Sequence, residues 1–194
     1  HGVDLSIMSG TKYIGGHADV MVGTITANEN HKKRLEDFYG DTGLFLGGDD
    51  TYLSLRGVRT LAIRLKRHEE SALKIARWLQ HRDEVGRVLH PALQSDPGHT
   101  IWKRDFKGSS GLFGVELKPV GANALNAFFD GFHHFGLGYS WGGYESLVIP
   151  STFKRTAKAF EQQGPLIRFH AGLEDADDLI ADIDEAFMRM KAMS

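Results

Sequence analysis

Lys12 stands where chemistry is easiest to imagine. In Ser9-Gly10-Thr11-Lys12-Tyr13 a primary amine lies among hydroxyls, after the alternating run Val3-Asp4-Leu5-Ser6-Ile7-Met8 and just ahead of Gly15-Gly16. A lysine amine can form a Schiff base with an aldehyde cofactor, and hydroxyls beside it can hold a phosphate on that cofactor. Held neutral by burial or by cationic neighbours, the same amine could remove a proton from an adjacent carbon. The five residues are also ordinary loop composition, with a solvated lysine and with Ser9 and Thr11 bonding local backbone. An extended backbone would point Ser9 and Thr11 to one side and Lys12 to the other; a turn at Gly10 or Tyr13 relaxes that conflict.

Arg168 lies among apolar residues in Leu166-Ile167-Arg168-Phe169-His170. A guanidinium there needs a partner, and its fork matches a carboxylate bidentately. That carboxylate could belong to a bound small molecule or to a nearby Asp or Glu, and the strand pattern leaves both open. Ser140, Trp141 and Tyr144 share a loop with Gly142-Gly143, where Trp141 reads as a pocket wall or as a core aromatic; Tyr144 and Glu145 could simply support the loop. The ten histidines invite a metal reading, but no Cys/His zinc spacing exists. His133 and His134 are adjacent and would diverge on a helix, so no metal is expected. His17 and His170 could approach a cofactor, with ordinary packing the plainer reading. No dinucleotide or P-loop glycine motif is present.

These residues must be positioned by elements that hydrophobic periodicity outlines. Val3 to Met8 reads as a strand, and Ala18 to Thr26 as a second one buried on both faces. Asn28 to Tyr39 suits a surface helix, and the glycine-rich Gly40 to Gly48 a loop. The first sheet is expected to have an unpaired edge. Asp49 to about Arg82 is one long helix in which Gly57 is unfavourable, with a domain boundary near Thr60. Strands are expected at Val85 to Leu89, Phe113 to Leu117, Leu147 to Ile149 (ended by Pro150) and Leu166 to His170. Leu125 to Phe132 should be helical, and Asp96 to Ser110 irregular. A final helix carries the stripe Leu179, Ile180, Ile183, Ala186, Phe187 and Met190, with acidic residues at its start. The alternation suggests an open sheet with helices on one side.

Composition narrows the function classes. The chain has 194 residues, 41% of them hydrophobic and 25% charged, and a net charge of −2. Such a chain can bury one good core or two small ones. The charge argues against nucleic-acid binding. With no cysteine there is neither a disulfide framework nor thiolate chemistry, which fits the cytoplasm. No apolar run reaches membrane-spanning length, and no signal peptide is visible.

Four blocks together resemble the cysteine/methionine-metabolism enzymes that use pyridoxal phosphate. They are Ser9 to Val20, the cofactor-lysine segment; Leu55-Arg56-Gly57-Val58-Arg59-Thr60-Leu61, entering the interdomain helix; Ser140-Trp141-Gly142-Gly143-Tyr144-Glu145-Ser146-Leu147, the active-site loop; and Ile167 to Asp175, the substrate-carboxylate strand. They occur in the family's order, over the C-terminal half of such an enzyme. The family's first half carries the carboxylate for the pyridine nitrogen, the ring stacked on the cofactor and part of the phosphate cup; none of those motifs is in this sequence, which reads as a fragment or as part of a larger chain.

The resemblance implies a fold type I, α/β transferase-like architecture, with residues 1–60 ending the large cofactor domain and 61–194 forming the small C-terminal domain. It implies pyridoxal 5'-phosphate as cofactor, with Lys12 catalytic and cofactor-binding, Ser9 and Thr11 on the phosphate, and Arg168, Ser140 and Trp141 on the substrate. It implies a carbon–sulfur lyase of transsulfuration and methionine biosynthesis, and a cytoplasmic homo-oligomer, dimer or tetramer. Trp141 points to β-elimination of cystathionine into homocysteine, pyruvate and ammonia. The alternatives are γ-elimination or γ-replacement within the family, or a non-catalytic fragment or assembly module.

Overall fold

The computed structural model describes residues 2–157 and 159–193. The chain divides into two compact units, His1–Ala62 and Ile63–Ser194.

The first unit is an antiparallel ribbon with helical segments. Strand β1 is Leu5–Ser9 and β2 is Gly23–Ala27, paired from Leu5↔Ala27 to Ser9↔Gly23. Helix α1 is Glu29–Thr42, ended by Gly43 in the left-handed conformation, and α2 begins at Gly48. Two expectations fail here. The second strand starts at Gly23 rather than Ala18, because Gly16 and Ala18 take positive φ and keep that stretch out of a ladder. Nor is that stretch covered on both faces: Ile25 is exposed, and Met21 is 77% exposed. β-branched, apolar composition reports that a strand suits burial, not what buries it.

The second unit is a five-stranded sheet in the order β3-β4-β7-β6-β5. Its strands are β3 Val85–Leu89, β4 Leu112–Leu117, β5 Gly136–Leu137, β6 Leu147–Ser151 and β7 Leu166–His170. All neighbours are antiparallel except β5 and β6. The α2 helix ends at Leu79; α3 is His99–Asp105, α4 Ala122–Phe129 and α5 Ala176–Ala192. Register puts Phe113, Val115, Ile167, Phe169 and Val148 on one sheet face. There they share a core with Ala72, Ile75 and Leu79 of α2, Phe128 of α4, and Ile183 and Phe187 of α5. The helices thus cover one side, as the periodicity predicts.

Four local expectations differ. The helix expected to reach Phe132 ends at Phe129. Pro150 lies inside β6 rather than ending it. It pairs with Ile167 on β7, whereas β5 reaches only Val148, so the missing N–H falls where no ladder needs it. The connection after Asp96 contains α3, entered through an Asp96 carboxylate that accepts from the Gly98 N–H at 2.7 Å. His133 and His134 are not helical. Their N–H groups, with that of Phe135, donate to the buried Asp182 carboxylate at 2.9, 2.7 and 3.1 Å. Among the described residues no His/Asp/Glu group could hold a metal, and no helix is long and apolar enough to cross a membrane.

Candidate active site

In the first unit β1 runs directly into a turn at Gly10 that carries Thr11 and Lys12. The Lys12 N–H donates to Ser9 O at 3.2 Å, Gly15 N–H to Gly10 O at 2.8 Å and Gly16 N–H to Lys12 O at 2.8 Å. The backbone is therefore wound, not extended, and the side-chain conflict of an extended segment does not arise. The turn is pinned to the chain before β2: Thr11 N–H reaches Val22 O at 3.0 Å, and the Thr11 hydroxyl accepts from Val22 N–H at 2.8 Å. That hydroxyl also donates to Val22 O at 3.3 Å, so its proton is engaged with local backbone. Ser9 is exposed and Lys12 half-buried.

The glycines explain how the turn is seated. A Cβ at Gly57 of α2 would lie 2.0 Å from Ile14 O and 2.7 Å from Gly15 O. The residue that looked like a flaw in the helix is where the lysine turn rests its backbone. Close approach repays the conformational entropy glycine loses in a helix. Gly15 is equally constrained, since its Cβ would meet a Val20 methyl at 2.5 Å.

In the second unit Phe169 packs between Phe113 (centroids 5.5 Å) and Phe135 (5.4 Å). Alternation then turns Arg168 and His170 to the opposite face. Arg168 Nη2 donates to the carbonyls of Gly138, Tyr139 and Ser140 at 3.3, 2.8 and 3.2 Å. Its Cζ sits 5.4 Å from the Trp141 ring centroid, within cation–π range. Among the described residues no carboxylate lies within ion-pair distance of it, so the structural Asp or Glu partner is not what holds it.

The strand and the loop are thereby brought together, and residues beyond the expected ones do much of the joining. Gly142 N–H donates to His170 Nε2 at 3.0 Å. Ser146 donates to Glu174 twice, from N–H to Oε1 at 2.8 Å and from Oγ to Oε2 at 2.7 Å. Gly172 N–H donates to Ser146 Oγ at 2.8 Å and Leu173 N–H to Tyr144 O at 2.8 Å. A Cβ at Gly172 would lie 2.2 Å from Tyr144 O, which accounts for a glycine there. His170 is fully buried beside His68 (centroids 5.1 Å), whose Nδ1 donates to Ala171 O at 2.8 Å. Burial, with the nearby His68 and Arg168 adding, pushes the His170 imidazole down to about 4, so it is neutral near pH 7. Ser140 is exposed and Trp141 half-buried. The sequence marks His170 as a polar residue on an apolar strand that could approach a cofactor, but its loop partner is too far along the chain for spacing to reveal.

The chain matches the family described as "Cys/Met metabolism PLP-dependent enzyme" over residues 1–188. It belongs to that family. It is 47% identical to cystathionine beta-lyase of Salmonella typhimurium over 97% of its own length and 49% of the relative's. Against cystathionine beta-lyase MetC of Escherichia coli the identity is 45%, over 97% and 49% respectively. A crystal structure of cystathionine gamma synthase from Xanthomonas oryzae pv. oryzae superposes with a TM-score of 0.89 at 35% identity, covering 100% of this chain and 52% of that one. The fold is that of a fold type I pyridoxal-phosphate enzyme, and the chain spans about half the length of the curated relatives it matches.

The donor set around Lys12 fits part of such a cofactor. One primary amine suits its aldehyde, the Ser9 hydroxyl beside it suits its phosphate, and the Gly57 contact keeps the turn's backbone in place.

Proposed function

We propose that the chain is the C-terminal half of a carbon–sulfur lyase that eliminates at the β carbon of cystathionine, giving homocysteine, pyruvate and ammonia. In this reading residues 1–60 close the large cofactor domain and 61–194 form the small domain of a cytoplasmic homo-oligomer. The observation that carries it is Arg168, whose guanidinium is steadied by three loop carbonyls and Trp141 rather than by a carboxylate of the described chain. An arginine held this way keeps a charged edge for a carboxylate that arrives with a ligand.

Lys12 would hold pyridoxal phosphate through its amine, and Ser9 would hold the phosphate. Thr11 joins it if its hydroxyl proton turns from Val22 O. When bound, the cofactor supplies an aldehyde for the amino group and a ring that accepts the charge left at Cα. Lys12 Nζ removes the Cα proton. Arg168 would bind the α-carboxylate through its guanidinium. Ser140 and Trp141 would bound the side chain of the substrate; the sulfur leaves with a proton as homocysteine, and one water converts the remaining three-carbon part to pyruvate and ammonia.

The β position is favoured by Trp141 and by identity to two β-lyases. The likeness to a γ-synthase supports a second reading, in which the same residues serve γ-elimination or γ-replacement. Two measurements test the proposal. Borohydride reduction of the holoenzyme and peptide mapping should label Lys12; a label elsewhere refutes the assignment. Cystathionine should yield pyruvate, and 2-oxobutyrate would move the enzyme to the γ reading.

A further inference from the structure

We infer that His170 is a positioning residue for the Trp141 loop, holding the Gly142 amide so that the loop keeps Arg168 aimed. The inference rests on the proposed role of Arg168 toward a substrate carboxylate, and extends it to a side chain that touches neither substrate nor cofactor.

Arg168 and His170 share one face of β7 and reach the same loop from below. Arg168 takes the carbonyls of residues 138 to 140; His170 takes the next part of the turn, through Gly142 N–H at 3.0 Å. Trp141 sits between those two anchors. Gly142 has φ of 80°, which glycine adopts without strain, and in that turn its N–H meets Nε2.

The hydrogen-bond pattern assigns the tautomer. Gly143 O is 3.2 Å from the same Nε2, but a proton on Nε2 would face the Gly142 N–H, two donors head to head. The lone pair is therefore on Nε2 and the proton on Nδ1. The ring is closely surrounded: Gly111 approaches so near that a Cβ there would lie 2.9 Å from Nδ1, and the His68 ring centroid is 5.1 Å away. A neutral, closely surrounded acceptor of this kind sets the height of the loop without taking part in the reaction.

The test compares His170→Phe, which keeps the ring and removes the acceptor, with His170→Gln, which restores an acceptor near the Nε2 position. In His170→Phe, hydrogen exchange at the Gly142 amide should quicken about tenfold or more, while exchange at Val115 in β4 stays unchanged. The KM of the holoenzyme for cystathionine should rise about fivefold or more, with kcat changing less than about twofold. His170→Gln should recover most of both effects. Unchanged Gly142 exchange, an equal rise at Val115, or failure of His170→Gln to recover would overturn the inference. Should His170→Phe not fold, the wild-type imidazole decides: nitrogen NMR showing the proton on Nε2 overturns it, and a proton on Nδ1 supports it. Pyruvate release by the wild-type enzyme reports separately on the proposed reaction, so the two can fail independently.

Discussion

The two units support their key residues in opposite ways. Lys12 rides on a two-stranded ribbon with exposed apolar side chains, and its turn is set by close backbone contacts: Thr11 with Val22, Gly57 with Ile14 and Gly15. Arg168 belongs to the central part of a sheet whose other face is packed by three helices. A two-stranded ribbon is marginal by itself, whereas a sheet with a covered face is not. Within the described residues, the lysine turn is placed by a few close backbone contacts and Arg168 by a packed sheet.

The sharpest separation should come from Lys12→Ala. It should lower kcat by about a thousandfold or more through loss of the base, with thermal unfolding of the second unit unmoved; an activity loss matched by a fall in melting temperature would blur the distinction.

Acid should act on the other side. His68, His90 and His170, all in the second unit, are held below the ordinary histidine value first by burial. His170, pushed down to about 4, stays neutral in the fold over most of the range between pH 6.5 and 4 and takes up a proton on unfolding; His68 and His90 shift in the same direction. Stability is therefore fully present above about pH 6.5 and falls as pH drops toward 4. His170 alone accounts for roughly 3 kcal/mol across that window. Urea unfolding of the second unit at a series of pH values should trace this slope, and a flat profile between pH 6.5 and 4 would contradict it.

Gly57→Ala should cost the lysine turn about 2 kcal/mol. The gain of about 1 kcal/mol in helix propensity cannot offset a Cβ set 2.0 Å from a backbone oxygen. Exchange of the Gly15 and Gly16 amides should quicken, with β7 unaffected. The smallest effect belongs to Asp175, whose carboxylate caps α5 by accepting from Asp177 N–H at 2.8 Å. Asp175→Ala should slightly lower the stability of the second unit by loss of the cap, measured by chemical denaturation, and leave the first unit untouched.

What could be read in the sequence follows the same division. Leu166 to His170 and the α5 stripe declared themselves because alternation and helical period were completed by neighbours within the unit. The second strand of the first unit was read too early and as too buried, since composition carries no information about the covering surface. Arg168 and Trp141 were legible as a strand arginine and a loop aromatic. Their contact was not, because it depends on carbonyls contributed by residues 138 to 140. The partners of His170, Gly172 and Glu174 were not legible for the same reason: each matters through an amide, a hydroxyl or a carbonyl about two dozen or more positions away. Gly57 was noticed for the wrong cause, as a helix defect, when the close approach of another backbone is what demands it.

The spacing of Arg168, His170, Gly172 and Glu174 has a consequence for how this segment can change over generations. Substituting one of them loosens one tether and leaves the rest. Gaining a single residue just before Arg168 would swap the sides of the residues that follow, sending the guanidinium into the oily interior and the Phe169 ring out to the loop. This stretch should therefore accept exchanges of side chain far more readily than any insertion or deletion.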